Sequence, residues 1–142
     1  MRLPFIVAAG AAAVAAAGAL TTSSDAAGLQ FFQMPSHNIF CAYVPADARS
    51  PAALRCDILS GLRPEPKTSC ELDWTGASLN VRGKASASCA GDTVAMPNAR
   101  VLAYGTTWKV GGFTCLSRTT GLRCTNRGGH GLFLSRERWQ VW

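Results

Sequence analysis

The chain has 142 residues, six cysteines and a formal net charge of +6, from 14 basic and 8 acidic side chains. About 115 residues remain after an apolar leader, which is the size of one domain. No stretch after the leader is long and apolar enough to cross a bilayer.

A signal peptide is predicted at residues 1–26. Arg2 supplies a positive start, residues 3–20 are apolar and rich in alanine, and residues 24–26 have the small-x-small form of a cleavage site. The alternative is a membrane anchor, which the poor insertion of Ala and Gly disfavours. We therefore expect a secreted or cell-envelope protein whose single domain covers residues 27–142.

Short strands dominate the rest of the chain. Glycine- and proline-containing turns separate segments that alternate in polarity or form brief apolar runs. The one helical signal is a turn at residues 135–138, where Ser135 suits the N-cap position. The spacing predicts an all-β fold, a small antiparallel β-sandwich or barrel stapled by three disulfides. The predicted strands are residues 29–34, 38–43, 54–59, 77–81, 84–89, 100–104, 107–110, 112–117, 122–126 and 132–135.

The cysteines follow the leader, and an even number in an exported chain indicates three disulfides. A two-residue turn at Thr119-Thr120 places Cys115 opposite Cys124, within disulfide reach. The strand Leu122-Arg123-Cys124 repeats an earlier one, Leu54-Arg55-Cys56, so the equivalent bridge is Cys41–Cys56. Cys70–Cys89 then remains. A zinc site is the alternative, but the chain lacks a C-x₂-C pair, so we predict no metal and no cofactor.

One family resemblance covers the whole chain after the leader and includes every cysteine. The segments Pro35-Ser36-His37-Asn38-Ile39-Phe40-Cys41 and Arg55-Cys56-Asp57-Ile58 resemble small secreted actinobacterial proteins grouped as a domain of unknown function. In the pattern that the chain resembles, Gly is usual in place of His37 and Phe is frequent in place of Leu132. The resemblance implies a secreted, disulfide-bearing fold and no particular activity. It continues through Cys70-x-x-Asp73-Trp74, Cys89-Ala90-Gly91-Asp92-Thr93, Tyr104-Gly105-Thr106 and Gly129-His130-Gly131-x-Phe133-Leu134-Ser135-Arg136.

His130 is a weak catalytic candidate because it lies among glycines at residues 127–131. Glycines allow close approach to a ligand, and histidine titrates near neutral pH. The structural alternative is a turn that needs positive φ, with His130 hydrogen-bonded to the backbone, and glycine clusters favour it. An acid–base pair with His37, as in a small hydrolase or nuclease, requires the two histidines to converge.

Arginines supply most of the positive charge. The hairpin register predicts that Arg118, Arg123 and Arg127 line one region, and Arg136 lies near two tryptophans in sequence. An arginine–aromatic surface suits anionic polymers, whereas a solvated face that keeps the protein soluble is the alternative. The candidate ligand-binding residues are Arg118, Arg123, Arg127, His130 and Arg136.

The remaining candidates favour structural roles. Acids near the cysteines, such as Asp57, Asp73 and Asp92, are expected to cap turns or to pair with arginines. Nucleophile-elbow, metalloprotease, P-loop and EF-hand motifs are absent from the sequence. The aromatic residues expected in the core are Trp74, Trp108 and Tyr104.

The favoured hypothesis is a secreted, disulfide-stabilised binding or envelope-associated module. Its expected partner is an anionic cell-wall polymer or another extracellular macromolecule, with nucleic acid disfavoured. Two alternatives stay open. One is a small secreted hydrolase or nuclease that uses His130. The other is an inhibitor of an extracellular enzyme, which would use the loop at residues 60–69 that leads into Cys70.

Overall fold

The computed structural model describes residues 27–142, and the predicted signal peptide lies outside the described residues. This part of the chain contains eleven strands and no helix, which confirms the all-β prediction. It accordingly offers no helix that could cross a membrane. The strands are β1 (Gln30–Gln33), β2 (Ile39–Val44), β3 (Ala53–Ile58), β4 (Asp73–Asn80), β5 (Ser86–Ala90), β6 (Arg100–Val101), β7 (Thr107–Val110), β8 (Phe113–Arg118), β9 (Gly121–Thr125), β10 (Gly131–Leu134) and β11 (Trp139–Val141).

The strands form two sheets. The first sheet has the order β5-β4-β3-β2-β1-β6, and the second has the order β11-β10-β9-β8-β7. All neighbouring strands are antiparallel except β1 and β6, which run parallel. Because almost every neighbour is joined by a short connection, the antiparallel arrangement follows directly from the chain order.

The core lies between the two sheets. Phe32 from the first sheet packs on Trp108 from the second, with ring centroids 5.0 Å apart. Tyr43 contacts both Trp108 and Phe113 at 6.4 and 6.0 Å. The fold is therefore a sandwich rather than a barrel. Trp108 is buried as expected, but Tyr104 is 42% exposed because it follows the two-residue strand β6 and lies in a connection.

Disulfides join the pairs that the strand register predicts. Cys41 and Cys56 are directly opposed on β2 and β3, and Cys115 and Cys124 are directly opposed on β8 and β9. All four are fully buried, so one bridge lies at the centre of each sheet and faces the other sheet. The third bridge, Cys70–Cys89, joins the connection after β3 to the edge strand β5.

The predicted helical turn at residues 135–138 is wrong. The Ser135 N–H donates to the Arg138 carbonyl at 2.9 Å, and the Arg138 N–H donates to Ser135 Oγ at 3.1 Å. These bonds close a hairpin connection between β10 and β11 instead of starting a helix. Strand β11 was not predicted, because three residues are too few to show alternation and their pairing with β10 is what makes them a strand.

Candidate anion-binding surface

Positive charge is concentrated in the second sheet and the segments next to it. Residues 27–92 contain six basic and six acidic side chains, whereas residues 93–142 contain seven basic side chains and one acid, Glu137. Residues 1–26 contain one of each, so the whole net charge of +6 belongs to residues 93–142. The seven basic residues are Arg100, Lys109, Arg118, Arg123, Arg127, Arg136 and Arg138.

Alternation in the second sheet directs one set of side chains outward. On β9, Leu122 and Cys124 are buried in the core, and Arg123 between them is exposed. The register places Arg123 directly opposite Leu116 on β8 and opposite Phe133 on β10. These residues share the outer face of the second sheet, the face turned away from the sandwich core.

Two arginines of this outer face are stacked on aromatic rings. The Arg123 guanidinium carbon lies 4.4 Å from the centroid of the Trp142 ring, and that of Arg138 lies 4.4 Å from the centroid of the Phe133 ring. We call these four residues the arginine–aromatic cluster. An exposed cation–π contact of this kind is worth about 0.5–1 kcal/mol. It therefore favours one position of the guanidinium group, which stays exposed to solvent.

Two glycines make room for the aromatic rings of the cluster. A Cβ atom at Gly121 would lie 2.7 Å from the Phe133 ring, and one at Gly131 would lie 2.6 Å from the Trp142 ring. Both distances are shorter than real Cβ contacts, so each ring occupies space that only glycine leaves open on its strand.

Acidic partners are missing from this surface. Within residues 27–142, the only ion pairs are those of Arg55 with Asp57 and Asp92. The stacked guanidinium groups of Arg123 and Arg138 therefore have no carboxylate among the described residues. A planar guanidinium donates N–H bonds in a fork that matches phosphate or carboxylate oxygens.

Arg118 connects the cluster to a cavity at the end of the second sheet. Arg118 is opposite Gly121, so Arg123 is its diagonal neighbour, at about 7–8 Å in an antiparallel pair. Arg118 and Arg136 both line a cavity of about 90 Å³ beside the Thr119-Thr120 turn. Of the predicted ligand-binding residues, Arg118 and Arg136 thus share the cavity, and Arg118 is also the diagonal neighbour of Arg123.

Arg127 and His130 lie elsewhere, at the opposite end of β9. Asn126 organises their loop, because its Oδ1 accepts N–H bonds from Gly128 at 2.9 Å and from His130 at 3.0 Å. The Asn126 Nδ2 donates to the carbonyls of Asn80 and Gly83, both at 2.8 Å. The backbone of His130 therefore belongs to a loop that is fastened to the β4–β5 turn.

The two histidines do not converge. His37 lies in the β1–β2 turn, at the end of the first sheet where β4 begins, and its Nδ1 is 2.7 Å from Gln33 Oε1. The His130 loop contacts the other end of β4, and eight strand residues span roughly 25 Å. The paired acid–base arrangement therefore does not form. His37 has φ of 53°, in the left-handed region that favours glycine.

The acids near the cysteines build a structural network, as expected for Asp57 and Asp92. Arg55 donates to both carboxylate oxygens of Asp57, at 2.9 and 3.0 Å, and to Asp92 Oδ1 at 2.8 Å. Burial disfavours the Arg55 cation, but the bonds to Asp57 and Asp92 outweigh it and leave the pKa of Arg55 above its ordinary value. The hydrogen bond and charge of Arg55 lower the pKa of Asp92.

The loop proposed for enzyme inhibition is exposed and tethered. Arg63, Pro64 and Glu65 are exposed, and Trp139 Nε1 donates to the Pro64 carbonyl at 2.7 Å. Together with the Cys70–Cys89 bridge, this bond holds the loop at two points. The inhibitor hypothesis stays a prediction.

Comparison with known proteins places the chain in a family. The model of a family of unknown function, DUF6636, matches residues 9–142. The chain belongs to this family. No curated protein and no solved structure matches it. Membership of DUF6636 confirms the expected family of unknown function.

In this DUF6636 chain, sequence reasoning expected an arginine–aromatic surface that includes Trp142 but missed Phe133 as an aromatic partner. Phe133 was not assigned to the surface because the pairing of β10 with β9 and β11 was not predicted. A usable signal existed at residues 131–133, since alternation along β10 puts Gly131 and Phe133 on the same face.

Proposed function

We propose that this DUF6636 chain is a secreted binding module that holds an anionic polymer of the cell envelope on the outer face of its second sheet. The main observation that supports this proposal is the arginine–aromatic cluster. Its Arg123 and Arg138 are stacked on aromatic rings, exposed, and without a carboxylate partner among the described residues. The cluster lies in the part of the chain that carries the whole net charge.

The layout of the surface favours a polymer over a small molecule. The cations Lys109, Arg118, Arg123 and Arg138 are all exposed on or beside one open sheet face. Each makes a weak, solvent-screened contact with an anion. A chain with repeated negative groups engages several of them at once, so the weak contacts add along one ligand.

Preorganisation supports the same function. Stacking on Trp142 and Phe133 restricts the guanidinium groups before a ligand arrives, so less side-chain entropy is lost on binding. The buried Cys115–Cys124 bridge crosses the two strands directly beneath Arg123 and Leu116, which keeps the face rigid. The disulfides also suit an oxidising compartment outside the cell.

The test is a binding titration of the disulfide-bonded protein with soluble poly(glycerol phosphate), with uncharged dextran as the reference polymer. We expect saturable binding to the phosphate polymer that weakens steeply with salt, because counterions are released. The double variant Arg123→Gln/Arg138→Gln should raise the Kd about tenfold, which corresponds to two charged contacts of moderate strength.

A matched control distinguishes an effect of the arginine–aromatic cluster on binding from an effect of net charge. Arg49→Gln/Arg63→Gln removes the same charge from exposed loops of the first half of the chain. It should change the Kd by less than about twofold under the same salt. Equal weakening in both double variants, or equal binding of dextran, would contradict the proposal.

A further inference from the structure

A small cavity lies where three connections meet at one end of the sandwich. Ser36 comes from the β1–β2 turn, Thr119 and Thr120 from the β8–β9 turn, and Arg136 from the β10–β11 connection. The cavity measures about 90 Å³. At about 30 Å³ for each water molecule, it has room for about three waters or one group of similar size.

The cavity has an excess of positive charge. Arg118 and Arg136 both line it, and Glu137 is the only acid on its wall. No carboxylate oxygen of the described chain lies within 4.0 Å of either guanidinium, since both ion pairs found there belong to Arg55. Two arginines that line one small cavity and form no ion pair among the described residues are suited to binding an anion.

Some of the other polar side chains that line the cavity are already hydrogen-bonded within the protein, and others are not. Asn38 is bonded to Ser60, and Ser135 is bonded to Arg138. Among residues 27–142, no hydrogen bond involves the hydroxyl of Ser36, Thr119 or Thr120. The hydroxyl of Tyr104, which also lines the cavity, likewise makes no hydrogen bond within residues 27–142. The available donors are therefore the two guanidinium groups and these four hydroxyls, which is a donor set for several oxygens of one anion.

We propose that this cavity binds one tetrahedral oxyanion, the phosphate group of a small molecule or of a polymer. The site does not depend on the proposed function, because Arg136 and the Thr119-Thr120 turn lie outside the arginine–aromatic cluster. Three residues of the cavity wall also adjoin the cluster, namely Arg118, Gly121 and Ser135.

The experiment is a titration of the disulfide-bonded protein with inorganic phosphate, followed by the amide NMR signals of Thr119, Thr120 and Gly121. Sodium chloride is exchanged for phosphate at constant ionic strength. Saturable shifts are expected at these three amides. Arg136→Gln should weaken phosphate binding about tenfold, as loss of a charged hydrogen bond does, and Glu137→Gln should strengthen it about threefold through loss of a like charge.

The opposite signs of these two neighbouring variants distinguish a site from a change in stability. Arg49→Gln, which removes one exposed charge far from the cavity turn, should leave phosphate binding unchanged. Equal weakening by Arg49→Gln, no gain from Glu137→Gln, or no saturable shift would each overturn the site. If the double variant Arg123→Gln/Arg138→Gln lost polymer binding and still showed the phosphate-induced amide shifts, that result would support the phosphate site. It would also show that the site is distinct from the polymer-binding surface.

A second titration identifies the source of the phosphate. Poly(glycerol phosphate) that shifts the same amides and competes with inorganic phosphate assigns the site to a phosphate group of the polymer. Shifts with inorganic phosphate alone assign it to a small phosphate compound. Both results support the cavity as a phosphate site.

Discussion

The two sheets contain the same short strand and use its arginine in opposite ways. Leu54-Arg55-Cys56 lies on β3 and Leu122-Arg123-Cys124 on β9, and each cysteine forms a buried bridge to the directly opposed strand. Arg55 binds the carboxylates of Asp57 and Asp92. Arg123 is stacked on Trp142 and has no acidic partner in the described chain.

The residue after the second cysteine accounts for much of this difference. It is Asp57 in the first sheet, 2% exposed and bonded to Arg55, and Thr125 in the second. Both positions lie two residues after the arginine on the same face of the strand. The same local arrangement thus supports a structural ion network in one sheet and, in the other, leaves Arg123 exposed with no carboxylate partner among the described residues.

The largest expected effect is a loss of stability, measured in two single variants that replace Arg55 or Arg123. Arg55→Gln leaves the buried Asp57 carboxylate without its cation and should lower the free energy of unfolding by about 3 kcal/mol. Arg123→Gln removes one exposed stack and should lower it by less than about 1 kcal/mol. Urea unfolding with the disulfides intact measures both.

A double variant checks the cause. Arg55→Gln/Asp57→Asn removes both charges, so it should be more stable than Arg55→Gln alone, because the unpaired carboxylate is gone. If Arg55→Gln and Arg123→Gln lost the same stability, the two arginines would have equivalent roles and the comparison would be wrong.

Gly131→Ala should disturb the second sheet next most strongly. The new Cβ would lie 2.4 Å from the Cys124 carbonyl oxygen and 2.6 Å from the Trp142 ring. We expect a loss of about 1–3 kcal/mol from overpacking, with altered Trp142 fluorescence as the ring moves. Gly28→Ala, which has open space around its Cβ, is the control and should leave both quantities unchanged.

Thr125→Asp should make the second sheet resemble the first. An aspartate there lies beside Arg123 as Asp57 lies beside Arg55, so it should compete with an anionic ligand and weaken poly(glycerol phosphate) binding about fivefold. Thr125→Asn, which has similar size and no charge, is the control. Binding that falls equally in both variants would show that the charge beside Arg123 is irrelevant.

The smallest expected effect is a change in how the Tm depends on pH under acidic conditions. Arg55 lowers the pKa of Asp92 from its ordinary value of 3.8, so this pairing stabilises the fold above that pH. Its contribution is lost as pH falls through the lowered pKa. Asp92→Asn should therefore reduce the Tm slightly at pH 6, and the Tm values of the two proteins should converge once the pH has fallen below the lowered pKa of Asp92. A Tm difference that grew on acidification would have the wrong sign.

Sequence reasoning predicted the bridges well because they depend on local register. The two-residue turn at Thr119-Thr120 alone sets Cys115 opposite Cys124, and this pairing is present in the second sheet. Sequence reasoning was wrong in predicting that Arg118, Arg123 and Arg127 line one region. The register correctly placed the first two together, but Arg127 follows the end of β9, and its position depends on how the next loop docks on Gly83.

By itself, then, the sequence determined most of the strands, the bridges and the all-β class, since these follow from alternation, turns and short separations. Only the tertiary structure decided which charges are neutralised. Arg55 reaches Asp92 across 37 residues, whereas Arg123 meets Trp142 through the pairing of β9, β10 and β11. Contacts of this kind depend on how distant segments pack. For that reason, identical Leu-Arg-Cys strands can give a closed ion network in one sheet and an open cationic surface in the other.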